Sequence, residues 1–138
     1  MIKSLLKITC LAFVVFSCKT ETKEVAQVDF KSSYNSGKQV YQDLCINCHL
    51  DNGKGVLKAF PPLADSDYLE NNQIESIKGI KYGMHKEITV NGIVYKGNMA
   101  KQGLTDKEVA DVMNYINNSW GNDYGTFITV EEVSKVQP

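Results

Sequence analysis

Two stretches of the chain carry apolar residues at helical spacing. The first is predicted to begin at Ser36 and to lead directly into Cys45, because its small and apolar positions repeat at i, i+3, i+4 and i+7. These positions are Gly37, Val40, Tyr41 and Leu44. Since such a stripe covers one side of a helix, we expect this helix to pack against another element.

The second stretch opens with a clearer start signal. Residues Thr105 to Glu108 form a capping box, in which a threonine side chain and a glutamate three residues later satisfy the first free amides of a helix. The predicted helix ends near Gly121, a residue suited to a helix stop. Its buried stripe is Val109, Val112, Met113 and Ile116.

Between these helices the pattern changes. Residues 88–95 are rich in β-branched and aromatic side chains, and Asn91-Gly92 at their centre favours a tight type I′ hairpin turn. Residues 66–82 predict one or two short helices, and Thr129 begins a last short one. The expected fold is all-α, with three to five short helices and a small β-hairpin before the loop that contains Met99.

Composition excludes one broad class of partner. The chain has 138 residues and a formal net charge of −1, so it lacks the strong basic charge of a nucleic-acid-binding protein. All 15 of its basic residues are lysines. No planar guanidinium is therefore present for bidentate recognition of carboxylates.

The N-terminus has the features of a targeting segment. Lys3 and Lys7 precede an apolar core over residues 8–16, which is too short to span a bilayer as a permanent helix. The core ends in an apolar residue, a small residue and Cys18, a pattern that resembles a bacterial lipoprotein cleavage box. Residues 1–17 are thus predicted to be a lipoprotein signal peptide.

Three segments follow from this interpretation. We expect Cys18 to carry the lipid, residues 18–32 to form a flexible tether without a helical stripe, and residues 33–138 to form the folded domain. The protein would be exported and anchored on the periplasmic side of a bacterial membrane. The remaining cysteines outside the signal peptide are Cys45 and Cys48, which leaves no thiol for a disulfide.

Cys45-Ile46-Asn47-Cys48-His49 has the Cys-x-x-Cys-His spacing of c-type haem attachment. Residues at i and i+3 of a helical turn share a face, so both thiols can reach one porphyrin while His49 meets the iron. A zinc site would need all of Cys45, Cys48, His49 and His85 at a spacing unlike that of known zinc fingers. A thioredoxin-like redox motif would need a surrounding strand–helix unit, which the sequence does not indicate.

Together with the later Pro-Leu step, Met99 and the terminal helix, the motif resembles the monohaem cytochromes c over residues 34–121. The resemblance implies a small cytochrome c fold with one covalent haem c, thioether bonds at Cys45 and Cys48, and His49 as the proximal iron ligand. It also implies Met99 as the distal ligand.

The resemblance implies further roles in the second half of the site. Pro61 or Pro62 would offer a carbonyl to the other nitrogen of His49, which fixes the orientation of the imidazole. Tyr95 is a further candidate for contact with the cofactor. Gly37 and Tyr41 would meet the terminal helix. One departure is Ala100, which stands where the family usually has a proline after the ligand methionine, so a stiffener of that loop is missing.

The residues themselves leave the sixth ligand open among Met84, His85, Met99 and Met113, or a vacant site. With His/Met ligation the iron is six-coordinate and has no place for a small-molecule substrate, so the protein is expected to carry single electrons between redox proteins rather than act as an enzyme. A five-coordinate peroxidase or gas sensor is the catalytic alternative. A fixed cytochrome subunit of a dehydrogenase is the third hypothesis.

Overall fold

The N-terminal part of the fold is one helical run that leads into the Cys-x-x-Cys-His motif. In the computed structural model, which describes residues 21–138 and their side chains from Asp29 onward, helix α1 spans Glu21–Val40. A π-helical turn spans Tyr41–Cys45, and helix α2 spans Ile46–His49. The motif therefore lies at the C-terminal end of this helical run.

The predicted helix start at Ser36 is wrong, because α1 already begins at Glu21. The described part of the 18–32 segment is thus helical, not an irregular tether. Its packed face includes Ser33, which is buried and donates a hydrogen bond from Oγ to the Asp111 carboxylate at 2.6 Å. A pattern of apolar positions does not reveal such a polar contact. In addition, the residues before Ser33 include good helix formers, namely Glu, Lys, Ala and Gln, which favour the longer helix.

Helix α5 spans Asp106–Asn117 and forms the centre of the core, as its apolar stripe predicts. The capping box between Thr105 and Glu108 is present in both directions. The helix ends three residues before Trp120, whose backbone adopts a positive φ of 56° and whose Nε1 donates to the carbonyl oxygen of Asp51 at 2.9 Å. The predicted end near Gly121 is therefore slightly too late.

Helices α1 and α5 cross at Gly37. A Cβ atom at this position would lie 1.9 Å from the carbonyl oxygen of Asp111 and 2.9 Å from Cβ of Tyr115, so only glycine allows this approach. One turn later, the ring of Tyr41 lies 5.3 Å from that of Tyr115. The expected meeting of Gly37 and Tyr41 with the terminal helix is confirmed.

The predicted hairpin is also confirmed. Strands β1 (Glu87–Val90) and β2 (Ile93–Lys96) pair antiparallel, and Asn91 and Gly92 both have positive φ, 50° and 74°, as a type I′ turn requires. One face of the hairpin is buried through Ile88, Val90 and Tyr95. The alternate positions face outward.

Three short helices complete the domain: α3 (Asp67–Asn71), α4 (Gln73–Tyr82) and α6 (Val130–Lys135). The last of these packs against α5 through Val133, which is fully buried. The Lys81 ammonium donates to the Val133 carbonyl oxygen at 2.8 Å and so ties α4 to the C-terminal segment. The mainly helical fold with one hairpin is the expected one.

Candidate functional site

A cavity of about 590 Å³ opens between the motif, the proline segment and the hairpin. Every predicted cofactor contact lines it: Cys45, Cys48, His49, Pro61, Pro62, Tyr95 and Met99. Most of its other lining residues are apolar, as in ligand pockets generally. The tertiary structure thus brings together residues that are up to 54 positions apart in the sequence, from Cys45 to Met99.

Cys45 and Cys48 contribute two half-buried thiols to one wall of this cavity. Both are free, and they span the end of the π-helical turn and helix α2. Burial, with a smaller contribution from Cys48, raises the pKa of Cys45 to about 11, so this thiol is protonated at neutral pH. The pair is available for bonds to a ligand in the cavity.

The His49 imidazole lies beside these thiols with its orientation set by the proline segment. Its Nδ1 is 3.0 Å from the carbonyl oxygen of Pro61, and since a carbonyl can only accept, Nδ1 carries the hydrogen. Burial lowers the pKa of His49 and outweighs the opposing effect of the Pro61 contact, so the ring is neutral. The lone pair on Nε2 is then free to bind a metal.

Gly55 allows the proline segment to come this close, and the sequence alone does not reveal it. A Cβ at Gly55 would lie 2.3 Å from the carbonyl oxygen of Phe60 and 2.6 Å from that of Pro61. The Gly55 amide also donates to the carbonyl oxygen of His49 at 3.0 Å. The glycine-rich loop after the motif therefore holds the His49 imidazole and the Pro61 carbonyl in contact.

The structure distinguishes the four candidates for a second axial ligand by where each side chain lies. Met113 is fully buried in the core on α5, and His85 is exposed, with Nδ1 3.2 Å from Oδ1 of Asn98. Only Met84 and Met99 line the cavity. These two methionines pair with each other through two backbone hydrogen bonds, 2.8 and 2.9 Å long.

Tyr95 lies in the buried face of the hairpin, 3% exposed, and forms part of the cavity wall. Other side chains that can donate hydrogen bonds line the same cavity, among them Lys96, Asn98 and Gln102. Since the chain has no arginine, such groups are candidate partners for the carboxylates of a cofactor.

The donor set fits a covalent haem. Two unpaired thiols, an imidazole with a free Nε2 and thioether side chains share one largely apolar cavity. Among the described residues, no three or more His, Cys, Asp or Glu side chains are placed to hold a bare metal ion. The zinc interpretation, which needs His85 beside the motif, has no support in this arrangement.

Comparison with known proteins identifies the family. The cytochrome c family model matches residues 34–120. Cytochrome c-552 of Thermus thermophilus is 36% identical over 111 residues, which cover 73% of this chain and 83% of that protein.

A second group of relatives is much longer. The cytochrome c subunit of the quinone-type alcohol dehydrogenase of Gluconobacter oxydans is 29% identical over 112 residues, or 75% of this chain, but the match covers only 22% of that subunit. A subunit of the same name from Komagataeibacter europaeus is 28% identical over 110 residues, again 22% of its length. This chain therefore aligns with about a fifth of these subunits. On the family match and the similarity to cytochrome c-552, the chain belongs to the cytochrome c family, electron carriers with covalently bound haem c.

Proposed function

We propose that this cytochrome c holds its haem through thioether bonds at Cys45 and Cys48 and binds the iron through His49 and Met99. The observation that carries the proposal is the His49–Pro61 contact at 3.0 Å, which leaves Nε2 of a neutral imidazole free in a cavity that Met99 also lines. When bound, the haem supplies an iron that exchanges one electron. The chain binds this group, orients the imidazole and keeps most of its surface from water.

A six-coordinate carrier is favoured over a peroxidase or gas sensor. Met84 and Met99 both bring thioethers to the cavity, whereas His85, the only other histidine in the chain, is exposed outside it. A filled coordination sphere leaves no iron position for substrate, and a thioether ligand favours the reduced state. Methionine ligation therefore suits a carrier of moderate to high potential.

The decisive experiment is an optical spectrum of the oxidised and reduced protein. We expect bands of covalent low-spin haem, a sulfur-to-iron charge-transfer band in the oxidised form, and slow binding of carbon monoxide by the reduced form. A high-spin spectrum with rapid carbon monoxide binding would instead favour the five-coordinate alternative.

The protein is further proposed to be exported and anchored by a lipid on Cys18, with residues 1–17 removed. Both segments lie outside the described residues. Helix α1 begins at Glu21, shortly after Cys18, and Phe30 is already in contact with Phe127 of the domain. At 1.5 Å per residue, the part of α1 before Phe30 extends about 14 Å and would act as a short spacer between anchor and domain. Within residues 21–138, none of the helices combines the length and the hydrophobicity that a membrane span requires.

Redox partners are proposed to dock where the motif reaches the surface. Large apolar side chains are exposed on both sides of it, including Leu44 at 42% and Leu57 at 68%. Exposed lysines that form no ion pair among the described residues surround this region and could attract an acidic partner: Lys54, Lys58, Lys96 and Lys101.

A fixed subunit role remains the second candidate. The dehydrogenase relatives named above are cytochrome c subunits, and this chain aligns with a part of them. Purification from the native membrane distinguishes the two hypotheses. A stoichiometric complex with a dehydrogenase supports the subunit, and recovery of the cytochrome alone supports the carrier.

A further inference from the structure

The two cavity methionines continue the ladder of the hairpin. In β1 and β2, Glu87 pairs with Lys96, and counting outward in the same register places Met84 opposite Met99. The bridge between Met84 and Met99 is formed in that register, with the Met84 amide donating to the Met99 carbonyl at 2.8 Å and the Met99 amide donating to the Met84 carbonyl at 2.9 Å. The hairpin therefore extends beyond its regular strands to Met99.

The intervening positions keep the same register. The Gly97 amide donates to the carbonyl oxygen of Lys86 at 3.0 Å, and the His85 and Asn98 side chains contact each other across the ladder at 3.2 Å. Side chains on one face of a ladder occur at every second residue. Met84 and Met99 thus share the face of Ile88, Val90 and Tyr95, and all five residues line the cavity.

The side chain of Met84 joins this ladder to helix α4. A Cβ at Gly79 would lie 2.8 Å from Cε of Met84, and a Cβ at Gly97 would lie 3.3 Å from its Sδ. Met84 therefore occupies a slot between the helix and the segment that carries Met99. Gly83 approaches that segment as well, since a Cβ there would lie 2.9 Å from the Met99 carbonyl oxygen.

The turn at the other end of the ladder is itself attached to the domain. Asn91 and Asp67 exchange hydrogen bonds, from the Asn91 amide to Oδ1 of Asp67 at 2.7 Å and from the Asp67 amide to Oδ1 of Asn91 at 3.0 Å. Nδ2 of Asn91 also donates to the carbonyl oxygen of Asp65. A slip of one residue in the strand pairing would turn every side chain of a strand to the other face of the hairpin. Because the attached turn fixes this pairing, it determines on which face the Met99 side chain lies.

We propose that Met84 and the Asn91-Gly92 turn position the axial ligand. The turn sets the strand register of Met99. Met84 pairs with the backbone of Met99 and, through its side chain, holds the segment that carries Met99 in place. This inference rests on the proposed ligation by Met99. It also explains how the loop can have Ala100 where the family usually has proline. The paired backbone of Met84 and Met99 supplies the stiffness that a proline supplies in other members of the family.

The test compares four variants of the haem-loaded protein: Met84→Ala, Met84→Leu, Gly92→Ala and Gly125→Ala. Gly92 and Gly125 both have positive φ, 74° and 80°, and neither has a neighbour that a Cβ would meet within 4 Å, so the two alanines impose a similar backbone strain at different places. Gly125→Ala is therefore the matched control. The readouts are the charge-transfer band of the oxidised form and the rate of carbon monoxide binding by the reduced form.

We expect Met84→Ala and Gly92→Ala to keep the covalent haem, to weaken the band and to accelerate carbon monoxide binding. For Gly92→Ala the expected factor is about tenfold, which corresponds to the strain of one alanine at positive φ; Met84→Ala, which empties the slot, should have at least as large an effect. Met84→Leu fills the slot and should stay within about twofold of the parent. Gly125→Ala should lower stability without changing either readout.

The inference is overturned if Met84→Ala and Gly92→Ala lose stability but keep the parent's band and carbon monoxide rate. That result differs from a failure of the proposed ligation itself, which appears as a charge-transfer band that survives in Met99→Ala or is missing from the parent.

Discussion

The Nδ1 atom of His49, at the end of helix α2, lies 3.0 Å from the carbonyl oxygen of Pro61 in the proline segment. This contact fixes the tautomer of the imidazole and makes Nε2 a better donor to a metal. It depends on the close approach of Gly55, where any side chain would collide with the Pro61 carbonyl. The loop glycine is thus as much a part of the site as the motif.

Gly55→Ala is expected to disturb this contact without touching the haem-binding motif. Its Cβ would displace the Pro61 carbonyl, weaken the hydrogen bond to His49 and reduce electron donation by the imidazole. We therefore expect a higher reduction potential in a potentiometric titration, together with a loss of about 1–3 kcal/mol in the free energy of unfolding. Gly125→Ala, which has a similar backbone strain, should leave the potential unchanged, and a shift of equal size in both would contradict this account.

Met99→Ala is expected to retain haem on Cys45 and Cys48 but to lose the sulfur-to-iron charge-transfer band. Removal of the thioether leaves the iron open, so carbon monoxide should bind the reduced protein much faster. Met113→Leu is the control, because Met113 is fully buried in the core and leucine has a similar volume. A band that persists in Met99→Ala would assign the ligand elsewhere, with Met84 the next residue to replace.

Gly37→Ala tests the packing of α1 on α5. A methyl group 1.9 Å from the Asp111 carbonyl oxygen forces the helices apart, so we expect the free energy of unfolding to fall by about 3 kcal/mol or more. The urea midpoint of the haem-loaded protein measures the change. Ser36→Ala is the neighbouring exposed control and should change the midpoint little; equal effects of the two substitutions would argue against a close crossing.

Cys18→Ala is expected to leave haem attachment intact and to release the protein from membranes, because the proposed lipid has no other attachment point. Cell fractionation followed by haem detection measures both properties. Cys10→Ala, within the proposed signal peptide, is the matched control and should stay in the membrane fraction. Retention of Cys18→Ala on membranes would instead point to anchoring by a partner protein.

Replacement of the unpaired lysines tests electrostatic attraction of redox partners. We expect Gln at Lys54, Lys58, Lys96 and Lys101 to lower the rate of electron transfer at low salt and to flatten its dependence on ionic strength, since exposed charges are screened over about 10 Å at 0.1 M salt. Lys135→Gln, which removes a lysine already paired with Glu131, serves as control. If the parent rate does not depend on salt, these lysines do not attract a redox partner and contribute only to the solubility of the protein.

Local signals in the sequence were sufficient for several elements. The capping boxes at Thr105 and Thr129 and the Asn91-Gly92 turn each satisfy backbone groups within a few residues, so their outcome hardly depends on the rest of the chain. The sequence pattern misses the part of α1 just before Ser36 because its contact with α5 is polar, the buried hydrogen bond from Ser33 to Asp111. Such a polar contact leaves no mark in a hydrophobic pattern.

By itself, the sequence determined the chemistry of this protein: two thiols at i and i+3 with an adjacent imidazole, and a hairpin whose turn residues require positive φ. Only the tertiary structure decided which distant groups meet that motif. Pro61 rather than Pro62 faces Nδ1 of His49, and Met84 joins Met99 while Met113 stays in the core. The physical reason is that these contacts depend on strand register and on close backbone approaches at Gly37, Gly55 and Gly97. Both are properties of the packing between segments and not of any one segment.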